Sequence, residues 1–388
     1  MRTAIWLYLF MFVAFFDLHA QYPILSPFAL SLGAAPSFIG LIMGVYSITH
    51  LPGNLLAGYG VDKYGSKFFI VFSLIVAGII LLFQSGVQDP WHLLYIRSIS
   101  GFVLAFLSPA CLSLLARIAR DRIEQSKLMT GNGLVHTLAS VVSPAAGALL
   151  VAKIGFTTAF SVLGWILIIT GILAIFGVRE HKIAAQPRDK STVADHHGYA
   201  LKNEGLNVKS DFMIPWLFFL IPVALSCSQG ILFFELPLMQ ASRGSILTSG
   251  VFFTLVSLGA LCSISLWFLN HVSPFIRTVA GSLSLAAIFF GLAIQWPIPL
   301  AISLFLIGMA KGVIFPALAA LLASNTSSNR YGRVFSILSI SYSVGAFFGP
   351  MLAGQLRDHI SSYFIAFFIL MLALSLLPLR TFKVPVTT

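Results

Sequence analysis

The feature that most constrains this chain is a series of long apolar runs separated by short polar connections. A helix needs about 20 apolar residues to cross the hydrocarbon core of a bilayer. The runs are continuous and rich in Leu, Ala and Phe, whereas barrel strands would alternate apolar and polar residues. The runs, named spans 1 to 12, are 4–25, 36–58, 67–86, 91–116, 128–151, 156–178, 212–238, 246–269, 275–294, 296–322, 334–356 and 362–379. This pattern predicts an all-α polytopic membrane protein with twelve transmembrane helices.

The composition supports a lipid environment. Hydrophobic residues make up 58% of the 388 residues and charged residues only 9%, with a mean hydropathy of +0.95. A soluble domain has about 25% charged residues, so this chain has too few polar side chains to cover a water-soluble globule. Cys111, Cys227 and Cys262 lie within spans without metal-ligand spacing. We interpret them as packing residues, and the sequence predicts no metal site.

The net charge of +11 has a clear distribution along the chain. If the N-terminus is cytoplasmic, 18 of the 23 Lys and Arg residues lie on the cytoplasmic side. Lys153, Arg243 and Arg357 lie on the opposite side, and Arg97 and Lys311 lie within spans. This positive-inside bias predicts a cell-membrane protein with both termini in the cytoplasm. It also accounts for the charge without nucleic acid as a partner.

The first span has a second interpretation. Arg2, the apolar run and the tripeptide Leu18-His19-Ala20 are compatible with a cleaved signal peptide. Cleavage would leave eleven spans and put the two halves of the chain out of register. We therefore treat span 1 as a retained helix.

Glycine and proline landmarks recur at a nearly constant offset. Gly101 precedes Pro109 by eight residues, and Gly308 precedes Pro316 by eight; Pro144 and Pro350 follow 35 and 34 residues later. Both residue types are common in membrane helices and could coincide by chance, but the constant offset favours an internal repeat. Because six spans separate the copies, the halves have the same orientation. The substrate site is then expected between them, near the midplane.

The repeat divides the chain into two six-helix halves around a central cavity, at residues 1–178 and 212–388. Between them, residues 179–211 form the one long polar stretch. Such a stretch buries too little apolar surface to fold alone, so we predict a cytoplasmic linker.

The connection between spans 2 and 3 reads Gly-Tyr-Gly-Val-Asp-Lys-Tyr-Gly-Ser-Lys over residues 58–67. Gly65 is suited to a tight turn with positive φ, and Asp62 is suited to capping a helix N-terminus. Lys63 and Lys67 are expected at the anionic cytoplasmic surface of the membrane. We predict that Gly58 and these four residues form a gating loop.

This connection closely resembles the signature G-x-x-x-D-[RK]-x-G-x-[RK] of the major facilitator superfamily. Arg97 and Gly101 in span 4 resemble its R-x-x-x-G element, and residues 143–147 in span 5 resemble its antiporter element G-P-x-x-G-G. The resemblance covers the whole chain and implies the twelve-helix drug:proton antiporter-like branch. Span 5 has Ser143 and Ala148 in place of two glycines of the antiporter element, which leaves symport open.

Prolines and glycines within the spans are candidate hinges. A proline removes one backbone hydrogen bond and kinks a helix, and glycines let helices approach and rock. The predicted hinge residues are Pro109, Pro144, Gly147, Pro316, Gly349 and Pro350. The alternative is local packing without motion.

Ionisable residues inside a membrane are rare and costly, and are therefore candidates for coupling. Of the twelve acidic residues, only Asp17 and Glu235 lie within predicted spans. Asp17 and Arg97 lie at similar depths, so we predict a proton-sensitive pair, with a static buried ion pair as the alternative. Glu235, just before Pro237, is a second coupling candidate or a rim residue that faces water.

Three further residues are predicted to bind substrate. Lys311 lies near the middle of span 10, where an ammonium group either faces the cavity or extends along its own helix to the membrane interface. His19 and His136 have side chains that donate, accept or titrate near neutrality. A helix histidine is otherwise a satisfied packing residue.

No phosphate-binding G-x-x-x-x-G-K-[ST], H-E-x-x-H or G-x-S-x-G motif occurs. We therefore predict no enzyme activity and no cofactor, and transport driven by an ion gradient or by none. The leading prediction is a monomeric secondary transporter that exports small amphipathic compounds in exchange for protons. The alternatives are proton-coupled uptake of a polar or anionic metabolite, passive exchange or channel activity, and lipid flipping.

Overall fold

The computed structural model describes residues 2–119, 121–178, 216–242, 245–266, 271–326 and 331–377. This part of the chain is almost entirely helical and contains no strand. The helices are Arg2–Ala20 and Tyr22–Ser31 (span 1), Pro36–Tyr64 (span 2), Ser66–Ser85 (span 3), Pro90–Leu104 and Leu107–Ile118 (span 4), Arg122–Gly177 (spans 5 and 6), Leu220–Ser242 after a 3-10 turn at Trp216–Phe219 (span 7), Ile246–Ser265 (span 8), Pro274–Ala293 (span 9), Leu300–Ser324 (span 10), Tyr331–Leu356 (span 11) and Ser362–Ser375 (span 12). The predicted linker, 179–211, lies outside the described residues.

The described helices have the length and surface of membrane spans. Ten stretches are long and apolar enough to cross a bilayer; one of them contains both span 5 and span 6, and the helix of span 12 is shorter. Large apolar side chains such as Leu55, Phe83 and Phe176 are 68–77% exposed. In water such a surface would be unstable, so lipid must cover it. The predicted all-α membrane fold is confirmed.

Two of the sharp turns between consecutive spans are made at Gly65 and Gly155. Gly65 has a φ of +90° between spans 2 and 3, as predicted, and Gly155 has a φ of +77° between spans 5 and 6. L-residues with a side chain rarely adopt this region, so glycine is favoured there. Span 4 is interrupted at Ala105 and Phe106, four and three residues before Pro109, because proline has no N–H to donate one turn back. The helices that contain Pro144, Pro316 and Pro350 are continuous.

The two halves pack their helices in the same way. Span 1 packs on span 5, span 2 on span 4 and span 3 on span 6; the second half repeats this with spans 7 and 11, 8 and 10, and 9 and 12. The repeat also appears at single residues. Gly101 of span 4 lies against the carbonyl of Tyr46, and Gly308 of span 10 lies against the carbonyl of Val256.

The halves meet through spans 2 and 11 and through spans 5 and 8. Gly40 lies against the carbonyl of Pro350, and Gly250 lies against the carbonyl of Pro144. In addition, Thr254 Oγ1 donates to the Val141 carbonyl at 2.9 Å. These contacts lie toward the end of the bundle opposite the Gly65 turn. We call this the closed end.

Toward the Gly65 end the same helices lose their partners from the other half. Leu55, Leu56 and Tyr59 of span 2 are exposed, and so are residues 335–337 and 339–340 of span 11. The latter are distributed around much of the circumference of the helix. The halves therefore separate toward this open end.

Candidate transport cavity and coupling site

A cavity of about 300 Å³ lies between the halves. Spans 1, 2 and 4 line it from the first half, and spans 7, 10 and 11 from the second. Its wall is mostly apolar and includes a smaller set of polar side chains: Gln21, Tyr22, Tyr46, Ser47, Arg97, Ser226, Gln229 and Tyr342. An apolar cavity with a few convergent polar groups is the usual form of a small-molecule site.

Asp17 is 3% exposed and lies in the middle of span 1. Gln21 Nε2 donates to both carboxylate oxygens of Asp17, at 3.0 Å each. The two residues are four positions apart and therefore lie on one face of the helix. Gln21 lines the cavity, whereas Asp17 lies behind it.

Arg97 is 5% exposed and comes from span 4. Its Nη1 donates to Gln21 Oε1 at 3.0 Å, and its guanidinium lies 4.7 Å from the centre of the Tyr46 ring. Asp17 and Arg97 thus belong to one network, but they are not in direct contact: Gln21 bridges them. Within the described part of the chain, Arg97 Nε is buried and makes no hydrogen bond.

Lys311 lies beside the cavity wall. Its Nζ is 5.8 Å from the ring centre of Phe233 and 5.9 Å from that of Phe315, and both rings line the cavity. The Phe233 ring also stacks on Tyr22, at 4.1 Å between centres. The structure therefore places the Lys311 ammonium next to the cavity. Its role in substrate binding stays a prediction.

His19 and His136 lie next to each other, with ring centres 5.2 Å apart. His19 Nδ1 lies 2.7 Å from the Phe15 carbonyl, which only accepts, so Nδ1 carries the proton and donates. His136 packs edge-on to Phe15, and His19 packs edge-on to Tyr22. Neither histidine lines the cavity directly, and their predicted substrate contact is untested.

Glu235 is buried near the closed end and does not line the cavity. Arg357 donates to both of its carboxylate oxygens at 3.1–3.2 Å, and Ser362 Oγ donates to Oε2 at 2.8 Å. These contacts connect span 7 to the turn between spans 11 and 12. A carboxylate held this way favours a packing role over the predicted coupling role.

The predicted gating loop is described in part. The side chain of Asp62 and the surroundings of Gly58 lie outside the described set. Lys63 is exposed, and its Nζ lies 5.7 Å and 5.2 Å from the rings of Tyr59 and Tyr64. Lys67 is half-buried just after the Gly65 turn. The gating role stays a prediction.

The predicted hinge residues lie in different environments. Pro350 contacts Gly40 of span 2 and Gly230 of span 7, and Pro144 contacts Gly250 of span 8. Gly147 packs against Ala20 of span 1, and Gly349 packs against Cys227 of span 7. Pro316 is exposed. Pro144 and Pro350 therefore lie where the two halves touch.

Sequence reasoning missed Gln21, Gln229 and the cavity tyrosines. A signal for Gln21 was available, because it is a polar residue one helical turn after Asp17 in an apolar run. Gln229 follows Gln21 by 208 residues, close to the offset of the repeat. Nothing in the sequence marked Tyr46 or Tyr342.

The fold and the loop between spans 2 and 3 agree with a comparison of sequence families. The profile of the Major Facilitator Superfamily matches residues 7–298 and 276–388. The chain therefore belongs to the Major Facilitator Superfamily, a family of membrane transporters.

Curated relatives match over most of their length. The multidrug resistance protein MdtG of Salmonella paratyphi B is 26% identical over 363 residues, covering 91% of this chain and 88% of the relative. A homologue of the multidrug resistance efflux pump PmrA from Lactococcus lactis is 22% identical over 349 residues, covering 87% and 84%.

Solved structures share the fold at low identity. A bacterial homologue of the human lysosomal transporter Spinster, in an inward-facing and occupied conformation, has a TM-score of 0.77 at 15% identity and covers 98% of this chain and 96% of its own. A variant of the nucleoside transporter NupG has a TM-score of 0.74 at 14% identity, with coverages of 98% and 100%.

Proposed function

We propose that this transporter exports small amphipathic compounds across the cell membrane in exchange for protons. The observation that carries this proposal is the network Asp17–Gln21–Arg97, which joins a buried carboxylate to the wall of a cavity between the halves. The names of the curated relatives, which include a multidrug efflux pump homologue, support export.

The orientation follows from the charges. Among the described side chains five cations lie at the open end, namely Lys63, Lys67, Arg117, Lys127 and Arg277, whereas two, Lys153 and Arg357, lie at the closed end. Under the positive-inside rule the open end faces the cytoplasm and both termini are cytoplasmic. The described conformation is then inward-facing, and export requires the closed end to open. We propose that the halves, 1–178 and 212–388, rock about the cavity as a monomer, joined by the linker 179–211.

Gln21 connects the proton to the cargo in this scheme. While Asp17 is ionised, its two oxygens accept from Gln21 Nε2, and the side-chain oxygen Oε1 of Gln21 accepts from Arg97 Nη1. Protonation of Asp17 removes the charge that strengthens the first pair of bonds. Gln21 and Arg97 are then free to rearrange toward the cavity. A substrate that engages either residue competes with the ionised network, and this competition couples substrate movement to proton movement.

Glu235 has a different proposed role. Its carboxylate holds Arg357 and Ser362 together within the second half. We assign it to the stability of the closed end of that half and leave coupling to Asp17.

The prediction that Asp17 couples transport to proton movement is tested with the Asp17→Asn variant in proteoliposomes. Asparagine keeps the size of the side chain but does not titrate, so substrate transport driven by an imposed pH gradient should fall to the level of empty liposomes. Substrate counterflow without a proton gradient should continue, because the cavity is intact. Asp358→Asn, which neutralises an exposed carboxylate at the closed end, is the matched control and should retain the full rate.

Full pH-driven transport by Asp17→Asn would exclude this residue as the coupling site. The direction of transport is read separately, from the movement of protons when substrate is added. Antiport and symport carry protons in opposite directions relative to substrate. Proton movement with the substrate would favour the symporter alternative, which Ser143 and Ala148 leave open in the antiporter element.

A further inference from the structure

The ammonium group of Lys311 lies in an unusual electrostatic position. It is half-buried in the middle of span 10, between two aromatic rings that line the cavity. Cation–π contacts with Phe233 and Phe315 partly compensate for its lost hydration. They do not neutralise its charge, so a partner with negative charge would be strongly favoured there.

No protein carboxylate within the described residues neutralises Lys311. Asp17 accepts from Gln21, which in turn contacts Arg97, and Glu235 is paired with Arg357. The other acidic side chains in the described part lie outside the spans, at helix ends and connections. Two cationic groups, Arg97 and Lys311, therefore lie around the cavity, together with one carboxylate, that of Asp17. This leaves a net positive charge beside a mostly apolar space.

Neutral donors lie on the same side of the cavity as Lys311. Gln229 of span 7 and Tyr342 of span 11 both line it, and neither makes a side-chain hydrogen bond within the described residues. The Tyr342 ring lies 5.5 Å from that of Phe315, one of the two rings beside Lys311. An amide N–H and a phenol O–H are suitable donors to the oxygens of an anion.

We propose that Lys311, Gln229 and Tyr342 form an anion-binding subsite, and that Phe233 and Phe315 hold the apolar body of the same molecule. The transported compound is then a small amphipathic organic anion, such as an aromatic carboxylate, rather than a lipophilic cation. This inference rests on the proposed function in one respect: the cavity is the place where cargo binds. It does not depend on the direction of transport or on the coupling ion.

Equilibrium binding of matched probes tests the charge preference. The probes are 2-naphthoate, 2-naphthamide and 2-naphthylmethylammonium, which share one ring system and differ in charge. Each is titrated calorimetrically into the purified full-length protein in lipid nanodiscs at neutral pH. Since a charge-assisted hydrogen bond exceeds a neutral one, we expect naphthoate to bind at least about tenfold more tightly than the amide, and the ammonium to bind most weakly.

Variants assign the preference to Lys311. Lys311→Gln should bring naphthoate to within about twofold of the amide, and Lys311→Arg should keep most of the preference because the charge remains. Lys153→Gln removes an exposed lysine near the closed end and should change nothing. If Lys311→Gln does not purify as a folded protein, the probe series on the native protein and on Lys311→Arg decides the outcome.

Two results would overturn the proposal: equal binding of naphthoate and naphthamide to the native protein, or an undiminished anion preference in folded Lys311→Gln. Neither depends on a proton gradient. A failure of the Asp17→Asn transport test would therefore leave the anion subsite intact, and a failure of the binding test would leave proton coupling intact.

Discussion

A single residue connects the intramembrane charges of Asp17 and Arg97. Asp17 and Arg97 were both predicted from the cost of placing charge in a membrane, but the structure places Gln21 between them. An amide serves this purpose because one end donates and the other accepts. Glutamine can therefore donate to a carboxylate and accept from a guanidinium at the same time. An ionised glutamate only accepts and a lysine only donates, so neither could replace it.

Substitutions at Gln21 and Gln229 test the proposed proton coupling and the proposed substrate binding separately. Gln21→Ala removes the donor to Asp17 and the acceptor from Arg97, a loss of about 1–3 kcal/mol in coupling. We expect pH-driven transport in proteoliposomes to fall roughly 5–150-fold at a fixed fraction of bound substrate.

Gln229→Ala is the matched control. Gln229 occupies the corresponding place in span 7, and its side chain makes no hydrogen bond to an ionisable group among the described residues. The substitution should weaken substrate binding and leave the ratio of protons to substrate unchanged. Equal loss of coupling in both variants would contradict the bridging role of Gln21.

At the scale of helices, glycines control how closely the two halves approach at the closed end. A Cβ at Gly40 would meet the backbone carbonyl of Pro350, which cannot rotate away as a side chain would. Gly44, Gly250 and Gly354 make comparable contacts with the other half. Membrane helices pack through small residues because lipid provides no hydrophobic drive for larger ones. In the proposed rocking motion these contacts break when the closed end opens, so we expect their strength to influence the balance between conformations.

Gly40→Val is predicted to shift this balance. The larger side chain separates spans 2 and 11 at a cost of about 1–3 kcal/mol to the closed arrangement, so the open arrangement of that end becomes more populated. Spin labels at Lys153 and Asp358, both exposed and in different halves, should report longer distances by double electron–electron resonance.

Gly133→Ala is the control, since nothing lies within 4 Å of a Cβ at that position. It should give the native distance distribution. An unchanged distribution in Gly40→Val would show that this contact does not set the conformational balance.

For the whole molecule, alternating access requires the halves to separate at the end where they now touch. Spans 5 and 8 meet there through the hydrogen bond from Thr254 to the Val141 carbonyl. Val141 belongs to the first half and Thr254 to the second, so a covalent link between them would oppose the proposed rocking motion.

A cross-link at this contact is therefore predicted to stop transport. Val141→Cys and Thr254→Cys are introduced together in a background where Cys111, Cys227 and Cys262 are replaced by Ala. A short reducible thiol cross-linker should abolish substrate transport, and reduction should restore it. The single-cysteine variants, treated identically, should stay active. Continued transport by the fully cross-linked pair would rule out separation of the halves at this end.

The sequence alone was sufficient to predict the membrane environment of this protein, its helices and its internal repeat. Hydropathy is a local property, and a bilayer forces each long apolar run to form a helix because backbone groups have no water to bond. The φ of Gly65 was predictable for a similar reason: a tight turn between two spans depends on neighbours in the chain.

Only the tertiary structure decided which side chains meet. The Gln21–Arg97 bond joins residues 76 positions apart, and the Glu235–Arg357 pair joins residues 122 apart. Such contacts depend on the rotation of each helix about its axis and on the depth at which it packs, neither of which hydropathy records. A rotation of one residue, about 100°, moves a side chain from the cavity to lipid. The spans could therefore be read from the chain, while the bridge at Gln21, the pair at Glu235 and the aromatic setting of Lys311 depended on packing.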